Sequence, residues 1–349
     1  MTMLLASVHL SFWESTLIKV VLVLVAVPTA TAIIVQTFLF KVMAHMQSRL
    51  GPMEAGPHGS LQLLADGAKF VQKELLAPEQ ADRRVFMLAP IVVMLSTFLF
   101  FVVIPVGPGS IGSDLDTGIF FALAVSSLSV IGILMAGWSS ANKYALIGGL
   151  RAAGQLIAYE LPLVLAVVGV VIQAGTLSLQ GIVHAQSTFT LWGWKIGSWT
   201  VHIPYFAPQI LGFLLFLLAS QAELTQTPFD MPVAESELVA GYQTEYSGLL
   251  FLFFYIGEFG TAFGLSAMAA TLYLGGWYLP GWHPHGIIGD LLGFVILFAK
   301  TMAIAFVVFW IRFTYPRLRE DQLQRFAWKV LIPLSLANIA LTAVLKVVA

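Results

Sequence analysis

Long apolar stretches recur along the whole sequence and limit its possible folds more than any other feature. Eight of them approach the roughly 20 residues that a helix needs to cross the hydrocarbon layer of a membrane. They lie near residues 15–40, 85–106, 117–138, 154–175, 204–222, 248–274, 286–311 and 327–348. Because a backbone in lipid must form its hydrogen bonds within its own segment, each stretch predicts a helix. We therefore expect an all-α integral membrane protein with eight transmembrane helices, folded as one membrane domain over residues 1–349.

Composition supports this class and excludes several others. The chain is 58% hydrophobic and 10% charged, whereas soluble domains carry about 25% charged residues. It contains no Cys, which excludes disulfides, thiolate zinc sites and iron–sulfur ligation by this chain. His283 and His285 have no neighbouring acid that would complete a metal site, and we find no nucleotide-binding fingerprint. We expect no metal and no redox cofactor bound by this chain alone, and no cleaved signal peptide, since the first 13 residues carry no Lys or Arg.

The distribution of basic residues predicts the orientation in the membrane. Most of the 17 Lys and Arg residues lie in or beside the loops that follow the first, third and seventh apolar stretches. Cytoplasmic loops carry such an excess of basic residues. These loops are therefore predicted to be cytoplasmic, which places both chain termini on the opposite side.

An amphipathic helix is predicted between the first two spans, over residues 60–77. Its apolar residues recur at spacings of three and four, whereas Asp66, Lys69, Lys73 and Glu74 take other faces. The helix could lie in the membrane interface or pack flat on neighbouring spans. Two Gly-Pro pairs precede it, at residues 51–52 and 56–57. They predict a rigid turn rather than an ordinary connection, and residues 51–57 are called the Gly-Pro turn below.

An acidic loop, residues 222–247, separates the fifth and sixth apolar stretches. It contains no Lys or Arg, although it falls on the predicted cytoplasmic side. Its acidic residues are Glu223, Asp230, Glu235, Glu237 and Glu245. These acidic residues do not follow the charge rule for a cytoplasmic loop, so we expect them to have a function of their own. The alternative is that they are simply solvated side chains of a surface loop.

Ionisable residues also occur inside the predicted spans. Glu160 lies at the mouth of the fourth span and Glu258 lies within the sixth. Insertion of such an acid costs about 2.5–3.5 kcal/mol near a helix centre, so it marks a pathway, a ligand or a partner. The alternative is a static pair with a base such as Arg151 or Lys300. Lys300 and Asp290, in the seventh span, allow both interpretations.

Several long segments of the chain resemble one family of membrane proteins. These segments are RLGPMEAGPHGSLQLLADGAKFVQKE (49–74), GWSSANKYALIGGLRAAGQLIAYELP (137–162), PFDMPVAESELVAGYQTEYSG (228–248), LGGWYLPG (274–281) and IRFTYPRLREDQLQRFAWKVLIPLSLAN (311–338). The family includes the H subunit of bacterial NADH–quinone oxidoreductase and NADH dehydrogenase subunit 1 of mitochondrial respiratory complex I. The resemblance covers nearly the whole chain.

The resemblance implies a function. Members of this family belong to a proton-pumping NADH–quinone oxidoreductase, a translocase of the bacterial inner membrane, with both termini on the periplasmic side here. They form the tunnel by which ubiquinone or menaquinone reaches the peripheral redox arm, and they begin an acidic path that couples quinone reduction to proton movement. FMN and the iron–sulfur clusters belong to partner subunits, so quinone is the substrate and this chain holds no redox cofactor. Its partners are peripheral quinone-module subunits, membrane-arm subunits and lipid, and not nucleic acid.

The resemblance also assigns residues. Those that match the proton path are Glu160, Glu223, Asp230, Glu235, Glu237, Glu245 and Glu258. Those that match the quinone tunnel and the contacts with the redox arm are Arg49, Gly51, Pro52, Asp66, Lys69, Arg151, Arg312 and Arg317. Clustered acids in a poorly solvated loop are expected to have raised pKa values and to exchange protons near neutral pH.

The chain departs from the family pattern at a few positions. Leu39 and Phe40 stand where a Glu-Arg pair is usual, Val233 stands where an acid is usual, and Met53 and Glu54 replace a common Asn-Arg pair. Two acids of the implied proton path are therefore absent. Three alternatives remain: the membrane anchor of a related ferredoxin-dependent or hydrogenase-type complex, a stand-alone secondary transporter, and a structural anchor with static ion pairs.

Overall fold

Helices make up nearly all of the secondary structure in the computed structural model. It describes residues 12–109, 112–189, 195–196, 199–200, 204–279 and 286–348. The helices are α1 Phe12–Ile34, α2 Gln62–Gln72, α3 Arg83–Val102, α4 Gly118–Ser139, α5 Lys143–Ala174, α6 Leu179–Thr188, α7 Ile210–Glu223, α8 Glu235–Leu238, α9 Gly248–Tyr273, α10 Gly286–Thr314, α11 Glu320–Phe326 and α12 Ile332–Val348. Two-residue strands, β1 Lys195–Ile196 and β2 Trp199–Thr200, pair antiparallel. The all-α class is confirmed.

Seven helical segments in the described part of the chain are long and apolar enough to cross a membrane. They are Trp13–Met46, Arg83–Val102, Gly118–Ser139, Lys143–Ala174, Gly248–Tyr273, Ile288–Thr314 and Glu320–Val347. Each corresponds to a predicted stretch. The largest difference is the start of α5, which lies at Lys143 rather than near residue 154. Asn142 explains this start, because its side chain accepts the N–H of Tyr144 as an N-cap at 2.8 Å.

Helix α7 is shorter than a typical span. Its 14 residues extend about 21 Å, whereas the hydrocarbon layer is about 30 Å thick. Its two ends nevertheless contact opposite ends of the bundle. Just before α7, the N–H of Phe206 donates to the carbonyl of Tyr273 at 2.8 Å, and near its end the Gln155 amide donates to the carbonyl of Ala222 at 2.7 Å. Eight crossings thus stay a prediction, whereas seven helices in the described residues are long and apolar enough to cross.

The first span continues beyond α1, and its last part forms hydrogen bonds with the Gly-Pro turn and the residues just after it. A π-helical segment, Val35–Val42, and a last α-helical turn, Met43–Met46, complete it. From the π-helical segment, Gln36 donates to the carbonyl of Gly59 at 3.1 Å, and Lys41 donates to the carbonyl of Pro52 at 2.7 Å. The Gly-Pro turn therefore has a defined position, because these hydrogen bonds hold it against the end of the first span.

Helix α2 is the predicted amphipathic helix, but it is shorter than predicted. It ends at Gln72 instead of residue 77, because Lys73 is extended with ψ 138°. The following residues bond to the chain before α9 instead of continuing the helix: the hydroxyl of Ser247 donates to the carbonyl of Glu74 at 3.2 Å. Pro78 also disfavours a helical conformation in the residue that precedes it. Tertiary contacts thus end α2 about one turn early.

Helix α9 lies at the centre of the bundle. It packs against α1, α3 and α10, and small residues allow close approaches along it. Thr97 of α3 donates to the carbonyl of Gly257 at 3.2 Å, and the ring of Phe259 stacks on that of Phe309 with centroids 6.2 Å apart. Any ionisable group on α9 at this level is therefore enclosed by other helices.

Candidate functional site

The acids assigned from the sequence fall into two sets in the structure. Glu160, Glu223, Asp230 and Glu258 lie wholly or partly inside the bundle and are called the buried acid group below. Glu237 is exposed, and Glu245 is half-buried at a separate place beside Asn142. Glu235 begins helix α8, and its side chain lies outside the described residues.

Glu258 is held inside the sixth predicted span by an amide and a guanidinium. The Nε2 group of Gln226 donates to its carboxylate, and the charge of Arg312 acts on it. Arg312 packs over the rings of Phe259 and Phe313, each 5.7 Å from its centroid. A carboxylate within a span is thus stabilised by one neutral donor and one partly enclosed cation, which is the condition for keeping an acid in lipid.

Asp230 extends this arrangement into the acidic loop. Burial raises the pKa of its carboxyl group, while the N–H of Ala234, which donates to it at 3.4 Å, and the charges of Arg317 and Arg312 oppose that effect. The carboxyl group of Asp230 therefore lies beside the backbone of Ala234 and within electrostatic range of Arg317 and Arg312. Its raised pKa agrees with the expectation for a poorly solvated loop.

Glu160 and Glu223 form the second part of the buried acid group. The side chain of Glu223 is 8% exposed, and its Oε2 atom has no hydrogen-bond partner among the described residues. The charge of Glu160 acts on Glu223, so the two carboxyl groups are near each other. Neither pairs with a base in the described ion pairs, which disfavours the static pair of Glu160 with Arg151.

Glu237 is instead the residue that pairs with arginines. One of its oxygens lies 2.6 Å from Nη1 of Arg151, and the other lies 3.0 Å from Nη2 of Arg317. Arg151 also lies 3.5 Å from Glu320. The hydrogen bond from Arg151 holds the pKa of Glu237 below its usual range, and the charge of Arg317 adds to this effect. The acids of the loop thus do not share one environment.

These ion pairs line an open depression of about 570 Å³ at the ends of α5 and α11. Its lining residues are Arg151, Met231, Glu237, Arg319, Glu320, Asp321 and Gln324. Glu245 lies elsewhere on the loop and accepts a hydrogen bond from the amide of Asn142 at 2.5 Å. The loop is therefore fastened to Asn142 at the start of α5, to Arg151 within α5 and to Arg317 just before α11.

Five of the residues assigned to the quinone tunnel, namely Arg49, Gly51, Pro52, Asp66 and Lys69, lie between the end of the first span and the end of α2. Gly51 has φ +71°, and a side chain there would collide with the carbonyl of Phe40. Pro52 accepts from Lys41, Arg49 is exposed, and Asp66 lies 3.6 Å from Lys69. Helix α2 also exposes a set of apolar side chains, which are Leu61, Leu64 and Val71, followed by Leu75 and Leu76. The turn and the helix thus form one unit, separate from the paired arginines Arg151 and Arg317.

The ionisable residues of the seventh predicted span do not pair with the buried acid group. The ammonium of Lys300 donates to the carbonyls of Leu274, Gly276 and Tyr278 at 2.7–2.8 Å. Asp290 accepts the N–H of Gly109 at 2.8 Å. Both residues therefore hold loops at the end of the bundle remote from α2, and the alternative of a static pair of Lys300 with Glu160 or Glu258 is not observed among the described ion pairs.

Leu39 and Val233, where the family usually has acids, have apolar surroundings. Leu39 is 8% exposed within the hydrophobic core, and Val233 packs on the cluster that contains Phe86 and Tyr246. In the described parts of the chain, no three His, Cys, Asp or Glu residues are placed so that they could hold a metal ion. His283 and His285 lie outside the described residues.

Sequence reasoning missed the amides that surround the buried acid group. Gln226 binds Glu258, and Gln155 donates to the carbonyls of Ala222 at 2.7 Å and Phe229 at 2.6 Å. In the sequence, only its polarity could have pointed to Gln155, which interrupts an apolar helix five residues before Glu160.

The helices and the buried acid group define a multi-pass membrane protein that keeps ionisable groups within its bundle. The model of one protein family, described as NADH dehydrogenase, matches residues 18–343. Similar proteins include the NADH-quinone oxidoreductase H subunit of Geobacillus kaustophilus, which is 45% identical over 88% of this chain and 86% of its own length. Its counterparts in Brevibacillus brevis and Phocaeicola vulgatus are 43% and 41% identical, each over 95% of this chain and over 94% and 92% of their own lengths. The chain belongs to the NADH dehydrogenase family, and the resemblance inferred from its sequence is confirmed.

Proposed function

We propose that this chain is a membrane subunit of a proton-pumping NADH–quinone oxidoreductase, which forms the quinone-access tunnel and begins the proton-coupling path. The names and the near full-length match of its relatives support membership of such a complex. One observation carries the coupling role. The carboxylate of Glu258 is kept inside a span by Gln226 and Arg312, next to Asp230 in the acidic loop.

The tunnel is assigned to the Gly-Pro turn, α2 and the first span. A quinone has a flat polar head on a long apolar tail, so its path needs an apolar wall that is open at membrane level. The exposed apolar side chains Leu61, Leu64 and Val71, at and along α2, and the rigid turn that precedes this helix supply such a wall. A change of charge within the tunnel would alter the electrostatic field at Arg312. Through Arg312, it would affect Glu258 and Asp230.

The other assignments belong to the same proposal. The chain acts as part of a translocase, holds no redox cofactor, and relies on partner subunits for FMN and the iron–sulfur clusters. It lies in a bacterial inner membrane in contact with quinone, lipid, peripheral quinone-module subunits and membrane-arm subunits. Both termini face the periplasm. Arg49, Arg151, Arg312 and Arg317 are assigned to the tunnel mouth and the contact with the redox arm.

Composition of the purified assembly tests membership directly. The native complex is isolated through a tag on this chain, and its subunits are identified by mass spectrometry. We expect subunits that carry flavin, iron–sulfur clusters and NADH-binding sequences. A hydrogenase catalytic subunit in their place would favour the hydrogenase-type anchor, and isolation of the chain alone in an active form would favour a transporter.

Glu258→Gln tests the coupling role. The amide keeps the shape of the side chain and removes its titratable proton, so the complex should assemble while NADH-driven acidification of sealed vesicles slows severalfold. Asp114→Asn is the matched control, because Asp114 accepts a hydrogen bond from Ser178 at the other end of the bundle. Normal pumping in the Glu258 variant would assign this acid a static role.

A further inference from the structure

Three basic side chains at one end of the bundle have no acidic partner among the described residues. Arg83 and Arg84 begin α3, Lys143 begins α5, and all three are exposed. None of them takes part in the ion pairs of the described chain. Their charges are therefore available to a partner from outside the chain.

The fold brings these three residues to one place. The N–H of Asp82, which precedes Arg83, donates to the carbonyl of Ser139 at 3.2 Å. Ser139 ends α4 and lies four residues before Lys143. The start of α3, the end of α4 and the start of α5 thus meet here. Arg83, Arg84 and Lys143 are called the basic corner below.

The basic corner lies at the level of a membrane surface. Helices α3 and α4 have 20 and 22 residues and extend about 30 Å and about 33 Å, which matches a hydrocarbon layer about 30 Å thick. The corner is also rigid, because the hydroxyl of Tyr246 donates to the carbonyl of Phe86 at 3.0 Å and the two rings stack with centroids 4.1 Å apart. Three cations are therefore held at the depth of lipid headgroups.

The acids that contact this corner are engaged elsewhere. The carboxylate of Asp82 accepts the N–H groups of Arg84 and Val85 at 3.2 Å and 3.5 Å, as the N-cap of α3. Glu245 accepts a hydrogen bond from the amide of Asn142. These carboxylates hold the ends of helices and a loop in place, and they leave the basic side chains without an ion pair.

Exposed apolar side chains continue along the helices from the basic corner. Residues spaced by three and four lie on one face of a helix. On α3, the residues that follow Arg84 at such spacings and are exposed are Leu88, Ile91 and Leu95. On α5, those that follow Lys143 in this way are Ile147 and Leu150. Each helix thus joins a cation at its end to an apolar stripe on the same face.

Two exposed aromatic residues flank the basic corner. Trp138, at the end of α4, is 75% exposed, and Tyr144, beside Lys143, is 52% exposed. Such residues are enriched where a membrane meets water, since their rings are apolar and their N–H or O–H groups bond to the wet layer. They add hydrogen-bond donors to the charges of the corner.

These features together select one class of ligand. A free phosphate ion would use the cations but not the apolar stripes. A zwitterionic lipid would use the stripes but would bring its own cation towards the arginines. An anionic phospholipid fits both, because its phosphate pairs with Arg and Lys and its acyl chains cover the stripes. The corner also lies on the predicted cytoplasmic side, where the leaflet is rich in anionic lipid.

We propose that Arg83, Arg84 and Lys143 bind the phosphate headgroup of an anionic phospholipid, whose acyl chains lie along the exposed stripes of α3 and α5. Trp138 and Tyr144 border the headgroup. None of these residues is assigned to the proton path or to the quinone tunnel, so the site goes beyond the proposed function and does not depend on it.

Photochemical labelling tests the site in the intact complex. The complex is placed in phosphatidylcholine nanodiscs with a minor fraction of phosphatidylglycerol that carries a diazirine on one acyl chain, and labelled peptides are identified by mass spectrometry. We expect severalfold more labelling of the α3 and α5 stripes by this probe than by a phosphatidylcholine with the same diazirine chain. Equal labelling by the two probes would overturn the proposal.

Two sets of substitutions identify the cations that act. The triple variant Arg83→Gln, Arg84→Gln, Lys143→Gln should lose the preference for phosphatidylglycerol. The matched control is Arg319→Gln with Arg325→Gln, because these exposed arginines already lie beside Asp321. It should keep the preference. An unchanged preference in the triple variant, or an equal loss in the control, would assign the labelling to general surface charge and overturn the site.

Two further measurements distinguish the occupant. Excess inorganic phosphate should leave the labelling unchanged, and a fall to the level of the phosphatidylcholine probe would show a site for phosphate alone, against the proposal. A cryo-EM map of the unmodified complex should show a lipid headgroup within about 3 Å of the Arg84 guanidinium. A helix of a partner subunit over the basic corner would refute the lipid site, whatever the complex pumps.

Discussion

Gly51 shows how much of the tunnel region depends on one residue. Its φ of +71° lies in the left-handed region, and a Cβ atom would collide with the carbonyl of Phe40 in the first span. Gly67, in the middle of α2, has open space around the position of a Cβ atom. The two glycines lie in one unit and differ in what an added methyl group meets.

Gly51→Ala should therefore disturb this unit, whereas Gly67→Ala should not. Strain of about 1–3 kcal/mol is expected at Gly51 from the backbone conformation alone, and the collision adds to it. Alanine at Gly67 should favour α2 by roughly 0.5–1 kcal/mol. The rate of quinone reduction by the assembled complex is the measurement, with a severalfold loss expected for Gly51→Ala only. Equal rates in the two variants would separate the Gly-Pro turn from the quinone path.

Glu237 provides a pH-dependent prediction. Arg151 and Arg317 depress its pKa, so its contribution to stability is present above the pKa of an unfolded glutamate and is lost as pH falls through the lower folded value. Because Glu237 is 49% exposed, the effect should not exceed about 1 kcal/mol. Glu237→Gln should lower the inactivation temperature of the complex slightly at neutral pH. The difference should disappear in acid, and a difference that grows as pH falls would contradict this account.

Single elements show what sequence patterns could and could not predict. Apolar length located α3, α4 and α9 to within four residues, because lipid imposes one requirement on every span. The same pattern could not find the start of α5, which depends on the Asn142 cap, or the end of α2, which depends on Ser247. The buried acids were found from their cost in lipid, but their partners were not, since Gln226 and Arg312 approach Glu258 only in the folded bundle.

The end of α9 depends on Lys300, which satisfies three carbonyls of the segment 274–278. Lys300→Met keeps the length of the side chain and leaves these acceptors without their donor, at a cost of about 1–3 kcal/mol. Lys346→Met is the comparison, because Lys346 also bonds the carbonyls of Ile172 and Gln173 but is exposed. We expect a clearly lower inactivation temperature for the Lys300 variant than for the Lys346 variant. The reverse order would show that Lys300 is not a structural donor.

At the scale of the whole molecule, the path of α7 decides the topology. If α7 crosses the membrane, the acidic loop lies on the opposite side from the connection between α5 and α6, and the distribution of basic residues predicts that the loop is cytoplasmic. Since the chain has no Cys, single cysteines at exposed positions can be labelled without background. Ser236→Cys should react with an impermeant maleimide only in inverted vesicles stripped of peripheral subunits. Thr188→Cys and Val347→Cys should react only in right-side-out vesicles, and labelling of Ser236→Cys and Thr188→Cys from one side would refute eight crossings.

The shortness of α7 has a consequence for biosynthesis. An apolar segment of 14 residues is too short to remain across a bilayer by itself. Helix α5 is made before it and offers it a binding face, where Gln155 holds the carbonyl of Ala222 and Gly169 lies against Gln209. If α7 crosses the membrane, we therefore expect it to insert as a partner of α5 rather than as an independent segment. Substitutions on that face of α5 should impair membrane insertion of the chain before they affect any step of its catalytic cycle.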